Sequence, residues 1–154
     1  ADIDLEESSH RNGNKVFLYP HQKFVQASIE DLPFEDKEFD YVFCSQVLEH
    51  VNFPSKACAE LQRVAKRGII DTPRSSTDLV FSHQDHRWLI DYIDGTLFFR
   101  PKPVKIVDSI LFRRWGVLAW QLDANVQKNI DATYRNVSNN CFEWENGFNY
   151  AVSI

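Results

Sequence analysis

The chain contains no methionine, and only five glycines, six prolines and three cysteines in 154 residues. Without a methionine it carries no start residue, so a natural start is expected upstream of Ala1 or processed away. Cys44, Cys58 and Cys141 are odd in number, far apart and set among apolar residues. That pattern argues against a disulfide framework or a zinc knuckle and predicts reduced thiols in the core. No apolar run approaches the roughly 20 residues that a membrane-spanning helix needs, and Ala1-Asp2-Ile3-Asp4 is acidic where a signal peptide is basic. A soluble, cytoplasmic protein with no membrane partner is therefore expected, and the Asn136-Val137-Ser138 sequon is incidental. Positive charge is also scarce. The 17 basic residues against 22 acidic ones leave a formal net charge of -5, which argues against long nucleic acid as a partner.

What is abundant is apolar and aromatic surface, 44% and 14% of residues, enough for one sizeable core. A single domain over 1–154 is expected. Short apolar runs at Lys15 to Tyr19 and Lys23 to Ala27, split by Pro20 and His21, predict a strand or two strand pieces. Phe39 to Cys44 is a near-continuous apolar run after the charged stretch Glu35 to Glu38, the pattern of a strand covered on both faces. Pro54 opens a predicted helix whose stripe is Ala57, Cys58, Leu61, Val64 and Ala65, ending near Lys66. Gly68 to Thr72, stopped by Pro73, predicts another buried strand, and the order strand, helix, strand predicts a parallel crossover. Thr96 to Phe99 is a strand candidate and Asp123 to Tyr134 a polar helix. Cys141 to Trp144 and Phe148 to Ile154 flank Asn146-Gly147, a strong hairpin signal.

The segments Phe24 to Phe34, Phe39 to Cys44 and Val47-Leu48-Glu49-His50-Val51, in that order and spacing, resemble class I S-adenosylmethionine-dependent methyltransferases of the small-molecule type. The resemblance runs on through Glu60, Leu61, Arg63 and Val64 into the strand at Gly68 to Thr72, covering the first half well and the second loosely. It implies an α/β, Rossmann-like fold: a mostly parallel sheet with helices on both faces and an antiparallel C-terminal hairpin. It also implies S-adenosylmethionine as cofactor. The family's glycine-rich loop is absent before Asp4, so that loop and the first strand are expected upstream and the domain is read as N-terminally incomplete.

Carried over residue by residue, the resemblance makes Asp4, with Asp2 second, the carboxylate for the cofactor ribose. Ser28 and Ile29 fall at the adenine edge, and Cys44, Ser45 and Gln46 border the cofactor's methionine moiety. Ser28 departs from the aspartate common at its position; Glu30 and Asp31 would compensate, or else sit in a solvated turn. Glu49 and His50 follow directly and would face cofactor or acceptor, or serve as capping or core residues.

Methyl transfer to a hydroxyl needs an aligned acceptor and a base. His83-Gln84-Asp85-His86-Arg87-Trp88 concentrates such groups, with His83 and His86 as candidate bases and Asp85 and His50 beside them in the catalytic set. Two other readings stand. His83, Asp85 and His86 would hold a divalent metal, although irregular spacing leaves no metal expected; or His86 caps a helix-like segment through Asp91 while Trp88 and Leu89 pack inward. Arg74, Arg100 and Lys102 would bind an anionic acceptor group, and Trp115 and Trp120 with Phe112 and Leu118 would line an apolar pocket or a core.

The expected function is O-methylation of a small polar acceptor, a sugar among those that fit, with a homo-oligomer compatible with the sequence. The alternatives are a methyltransferase-like interaction module that no longer binds cofactor, and a nucleotide-binding oxidoreductase on a related sheet.

Overall fold

The computed structural model describes residue 2, residues 18–81, residue 83, residues 85–103 and residues 137–153. Strand β1 (Phe39–Ser45) leads through a loop to helix α1 (Pro54–Val64), which feeds strand β2 (Ala65–Pro73). β1 and β2 pair in parallel, from Phe39 opposite Ala65 to Ser45 opposite Asp71. This is the expected crossover. Pro54 starts α1 without costing a hydrogen bond, and Ala57, Cys58, Leu61 and Val64 bury one stripe of it in the core. The helix ends at Val64, two residues before Lys66, because β2 begins at Ala65.

The N-terminus of α1 has no side-chain cap of its own. Glu30 substitutes: its Oε1 accepts from the backbone amides of Asn52 and Phe53, placing a carboxylate where the helix dipole favours one. Farther along, Glu60 accepts from the amide of Leu32 and holds Arg63 at 2.6 Å, while Arg63 donates to the carbonyls of Leu32 and Phe34. The 28–36 segment is thereby fastened along α1.

Helix α2 (Ser75–Phe81), strands β3 (Trp88–Ile93) and β4 (Thr96–Pro101), and strands β5 (Asn139–Glu145) and β6 (Asn149–Val152) complete the described elements. They form two three-stranded sheets, ordered β1-β2-β5 and β3-β4-β6. β2–β5 and β3–β4 are antiparallel, whereas β4–β6 is parallel. The described sheets are thus mixed rather than mostly parallel, and three further expectations change.

First, Asn146-Gly147 does not close a hairpin: β5 pairs with β2, and β6 with β4. The chain changes sheets there, with positive φ at both residues, because α1 holds the crossing point. Gln62 Oε1 accepts from the Phe148 amide, and Asn146 donates to the Lys66 carbonyl. The two-residue hairpin is instead Asp94-Gly95, with φ of 48° and 78° between β3 and β4, the conformation an Asp-Gly turn adopts. Second, the segment through Asp91 is a strand, so His86 caps no helix there; Leu89 packs inward and Trp88 is half-buried. Third, β1 is not covered on both faces. Tyr41 and Phe43 are exposed, and among the described residues β1 pairs with β2 alone.

Cys44 and Cys58 are buried free thiols, as expected of core cysteines, but Cys141 is exposed. The core joins Leu48, Leu61, Ile70, Ile90, Leu97, Phe99 and Trp144 across both sheets. Buried Asn140 bridges them: its Nδ2 donates to Thr72 Oγ1 and to the Ile90 carbonyl, and its Oδ1 accepts from the Tyr92 amide. Among the described residues no helix is long and apolar enough to cross a membrane.

Candidate functional site

At the C-terminal end of β1 the backbone turns sharply. Gln46 adopts a φ of 55° and its amide donates to the Asp71 carbonyl, so the ends of the two parallel strands stay together. Ser45 Oγ donates to Asp71 Oδ2 at 3.1 Å, and Asn139 donates to Oδ1 at 2.8 Å. Of the three residues proposed for the methionine moiety, Gln46 is exposed, Ser45 half-buried, and Cys44 faces the core with burial pushing its thiol well up from the usual range. Ser28 and Ile29 sit in a turn in which Ser28 Oγ accepts from the Glu30 amide. Glu30 itself is committed to α1, and Ile29 packs partly on the core. Asp4 lies outside the described residues. Asp2 forms a parallel bridge with Gln26, donating to Val25 and accepting from Ala27.

The turn after β1 carries Glu49 and His50 toward the loop between α2 and β3. Backbone bonds lock the two segments: the Glu49 carbonyl accepts from the amides of Arg87 and Trp88, and the Trp88 indole donates to the Val51 carbonyl. Three imidazoles separated by up to 36 positions meet there. The ring centres of His50 and His86 are 4.7 Å apart, those of His83 and His86 4.7 Å, and those of His50 and His83 6.0 Å.

Asp78 and Lys102, which sequence reasoning did not assign to this cluster, form its buried floor. Lys102 Nζ lies 2.9 Å from Asp78 Oδ1, both side chains only 2% exposed, and it also donates to the His83 carbonyl. His86 Nδ1 reaches the same Asp78 oxygen at 2.9 Å. Burial pushes the Asp78 carboxyl up, but the hydrogen bonds and charges of His86 and Lys102 outweigh it and hold the group below its usual value. Burial, together with the charge of His86, lowers His83 from its ordinary 6.5 and favours the neutral imidazole. Asp85 stands 3.9 Å from His83 and offers its carbonyl to His50.

Glu49 is fully buried, and neither carboxylate oxygen has a hydrogen-bond partner. Desolvation, with the nearby charges of Asp78 and Asp71, pushes it up to about 8. The short sequence Leu48-Glu49-His50 gives no signal of this burial, which arises only when residues 87–88 close over the turn.

The proposed anion-binding residues are engaged internally. Lys102 is buried with Asp78, Arg100 pairs with Asp91 at 2.7 Å, and Arg74 donates to the Asn139 carbonyl. Phe112, Trp115, Leu118, Trp120 and the 123–134 helix lie outside the described residues. A cleft of about 400 Å³ where β5 passes into β6, lined by Gln62, Tyr92, Trp144 and Phe148, contains none of the predicted site residues.

With this geometry in place, the similarity to known proteins is specific. Residues 2–72 match a family model described as a methyltransferase domain. Over that span the chain is similar to class I S-adenosylmethionine-dependent methyltransferases. It is 31% identical over 94 residues to a 2-phytyl-1,4-naphtoquinone methyltransferase of Trichormus variabilis, covering 58% of this chain and 40% of that protein. A protein of the same name from Nostoc sp. is 29% identical over 94 residues, again 58% of this chain and 40% of that protein. An uncharacterised protein of Methanocaldococcus jannaschii is 48% identical over 46 residues, 30% of this chain and 22% of that protein. The chain thus spans well under half the length of these curated relatives. No solved structure matches it significantly.

Proposed function

We propose that the chain supplies the acceptor side and part of the cofactor side of a methyltransferase that methylates an oxygen of a small polar molecule, such as a sugar. The observation that carries this reading is the histidine cluster: His50 follows the C-terminal end of β1, which pairs in parallel with β2, and meets His83 and His86 from the loop between α2 and β3, in a chain that matches a methyltransferase-domain model. In open α/β sheets ligands bind at such strand ends.

S-adenosylmethionine, when bound, supplies an electrophilic methyl group on a sulfonium. Exposed Gln46, on its left-handed backbone, and half-buried Ile29 are read as part of the cofactor's wall. The chain's own groups then act on the acceptor. His83 would take the proton of the acceptor hydroxyl, while bound S-adenosylmethionine would supply the methyl group and be released as the neutral thioether. His86, oriented by Asp78, stacks on the His83 ring and positions it. The proton ends on the His83 imidazole and passes to solvent.

The experiment is methyl transfer from radiolabelled S-adenosylmethionine to a panel of sugars, catechols and naphthoquinols. The last class is included because a relative is named for a phytyl naphtoquinone. Label on a polar hydroxyl supports the reading, label on the quinol ring redirects it, and no transfer to any acceptor by a cofactor-binding protein counts against it. A second reading, an interaction module without cofactor, draws on Ser28 and Glu30: the hydroxyl is spent on its own turn and the carboxylate on α1.

A further inference from the structure

We infer that Glu49, His50 and His86 form a binding site for one divalent first-row transition metal ion. One ligand atom from each of the three lies within 4.8 Å of the others. Proximity alone would carry little, but Glu49 adds an independent observation: a carboxylate with 0% exposure and no hydrogen bond to either oxygen. Buried polar groups are nearly always satisfied, and an unpaired buried carboxylate costs several kcal/mol unless it is neutralised or coordinates a metal.

The two histidines are held as metal ligands are. Each has Nδ1 on an oxygen, His50 on the Asp85 carbonyl at 3.1 Å and His86 on Asp78 Oδ1 at 2.9 Å. With the Nδ1 proton donated to those oxygens, Nε2 becomes the lone-pair nitrogen on both rings. An imidazole oriented by a carboxylate or carbonyl on its far nitrogen is the usual outer support of a protein metal site. Nε2 of His50 stands 3.9 Å from Glu49 Oε1, too far for a hydrogen bond and somewhat wider than the ~3.3 Å implied by two bonds of about 2.0–2.1 Å on a tetrahedral ion.

Two imidazoles and one carboxylate suit zinc, cobalt, manganese or iron in the divalent state and suit magnesium or calcium poorly. Three protein ligands leave at least one coordination position for water or an acceptor oxygen. The stacked His83 ring lies 4.7 Å from that of His86, close enough to serve a ligand at the open position. The inference stands on these residues and not on methyl transfer. A chain that never methylates anything would still bind the ion.

The test uses the untagged chain, stripped with EDTA and titrated calorimetrically with zinc, and separately with cobalt while visible absorption is followed. The expected result is one equivalent of zinc per chain and cobalt bands of an ordered protein site. Glu49→Gln and His86→Gln should each weaken zinc at least tenfold with an unchanged circular dichroism spectrum, whereas His83→Asn should keep the stoichiometry. If Glu49→Gln fails to fold, half-buried His50→Gln takes its place. No saturable binding by the folded chain overturns the inference, leaving Glu49 as a protonated core acid; so does zinc affinity unchanged in the folded variants.

Discussion

His86 and Lys102 share one oxygen of Asp78: His86 Nδ1 and Lys102 Nζ each lie 2.9 Å from Oδ1, on a carboxylate buried between α2 and the end of β4. The ammonium compensates the buried charge, and the imidazole takes its orientation from the same atom. Removing one member of such a pair leaves a charge stranded in the interior. Lys102→Met should therefore destabilise the protein by about 3 kcal/mol in urea unfolding, far more than loss of an exposed lysine.

The His83 imidazole, whose pKa burial lowers from the ordinary 6.5, is the proposed base. His83→Ala should lower turnover by roughly 10²–10⁴, the usual worth of a general base, with S-adenosylhomocysteine affinity unchanged by calorimetry. Parallel loss of cofactor affinity would instead make His83 a structural support.

Glu60 holds Arg63 and the Leu32 amide, and the Arg63 hydrogen bond is the chief cause that lowers its carboxyl from the ordinary 4.5. The folded state thus binds this proton less readily than the unfolded chain. The stabilisation is fully present above pH 4.5 and is lost as pH falls through the folded value. Glu60→Gln should cost about 1 kcal/mol at pH 7, and its deficit against the parent should shrink as unfolding is measured at pH values below 4.5.

Gly68 pairs with Val42 across β1 and β2, and an added Cβ would meet both the Cγ1 and the carbonyl oxygen of Val42 at 2.5 Å. The carbonyl cannot swing aside as a side chain can. Gly68→Ala should destabilise by about 1–3 kcal/mol through overpacking, seen as a lower urea midpoint with an unchanged slope.

The parts of the fold legible in the sequence were those with local cues. Pro54 and the stripe from Ala57 to Val64 marked α1, and Gly68 to Thr72 before Pro73 marked β2. The hairpin reading failed at Asn146-Gly147 for a reason no local pattern carries: Gln62, more than 80 positions away, captures the Phe148 amide. At Asp94-Gly95 an equivalent cue goes unread, because one reading of the residues through Asp91 is a helix-like segment. In the candidate site, His50, His83 and His86 were each singled out, but their meeting depends on the backbone bonds from Glu49 to residues 87–88. The burial of Glu49, Asp78 and Lys102 was invisible, since charged residues in a sequence read by default as solvated.

The most direct test of the central claim is a calorimetric titration of the folded protein with S-adenosylhomocysteine, which probes the cofactor pocket without the acceptor. The account predicts saturable one-to-one binding. A folded protein that takes up no S-adenosylhomocysteine would contradict it and leave the interaction-module reading in its place.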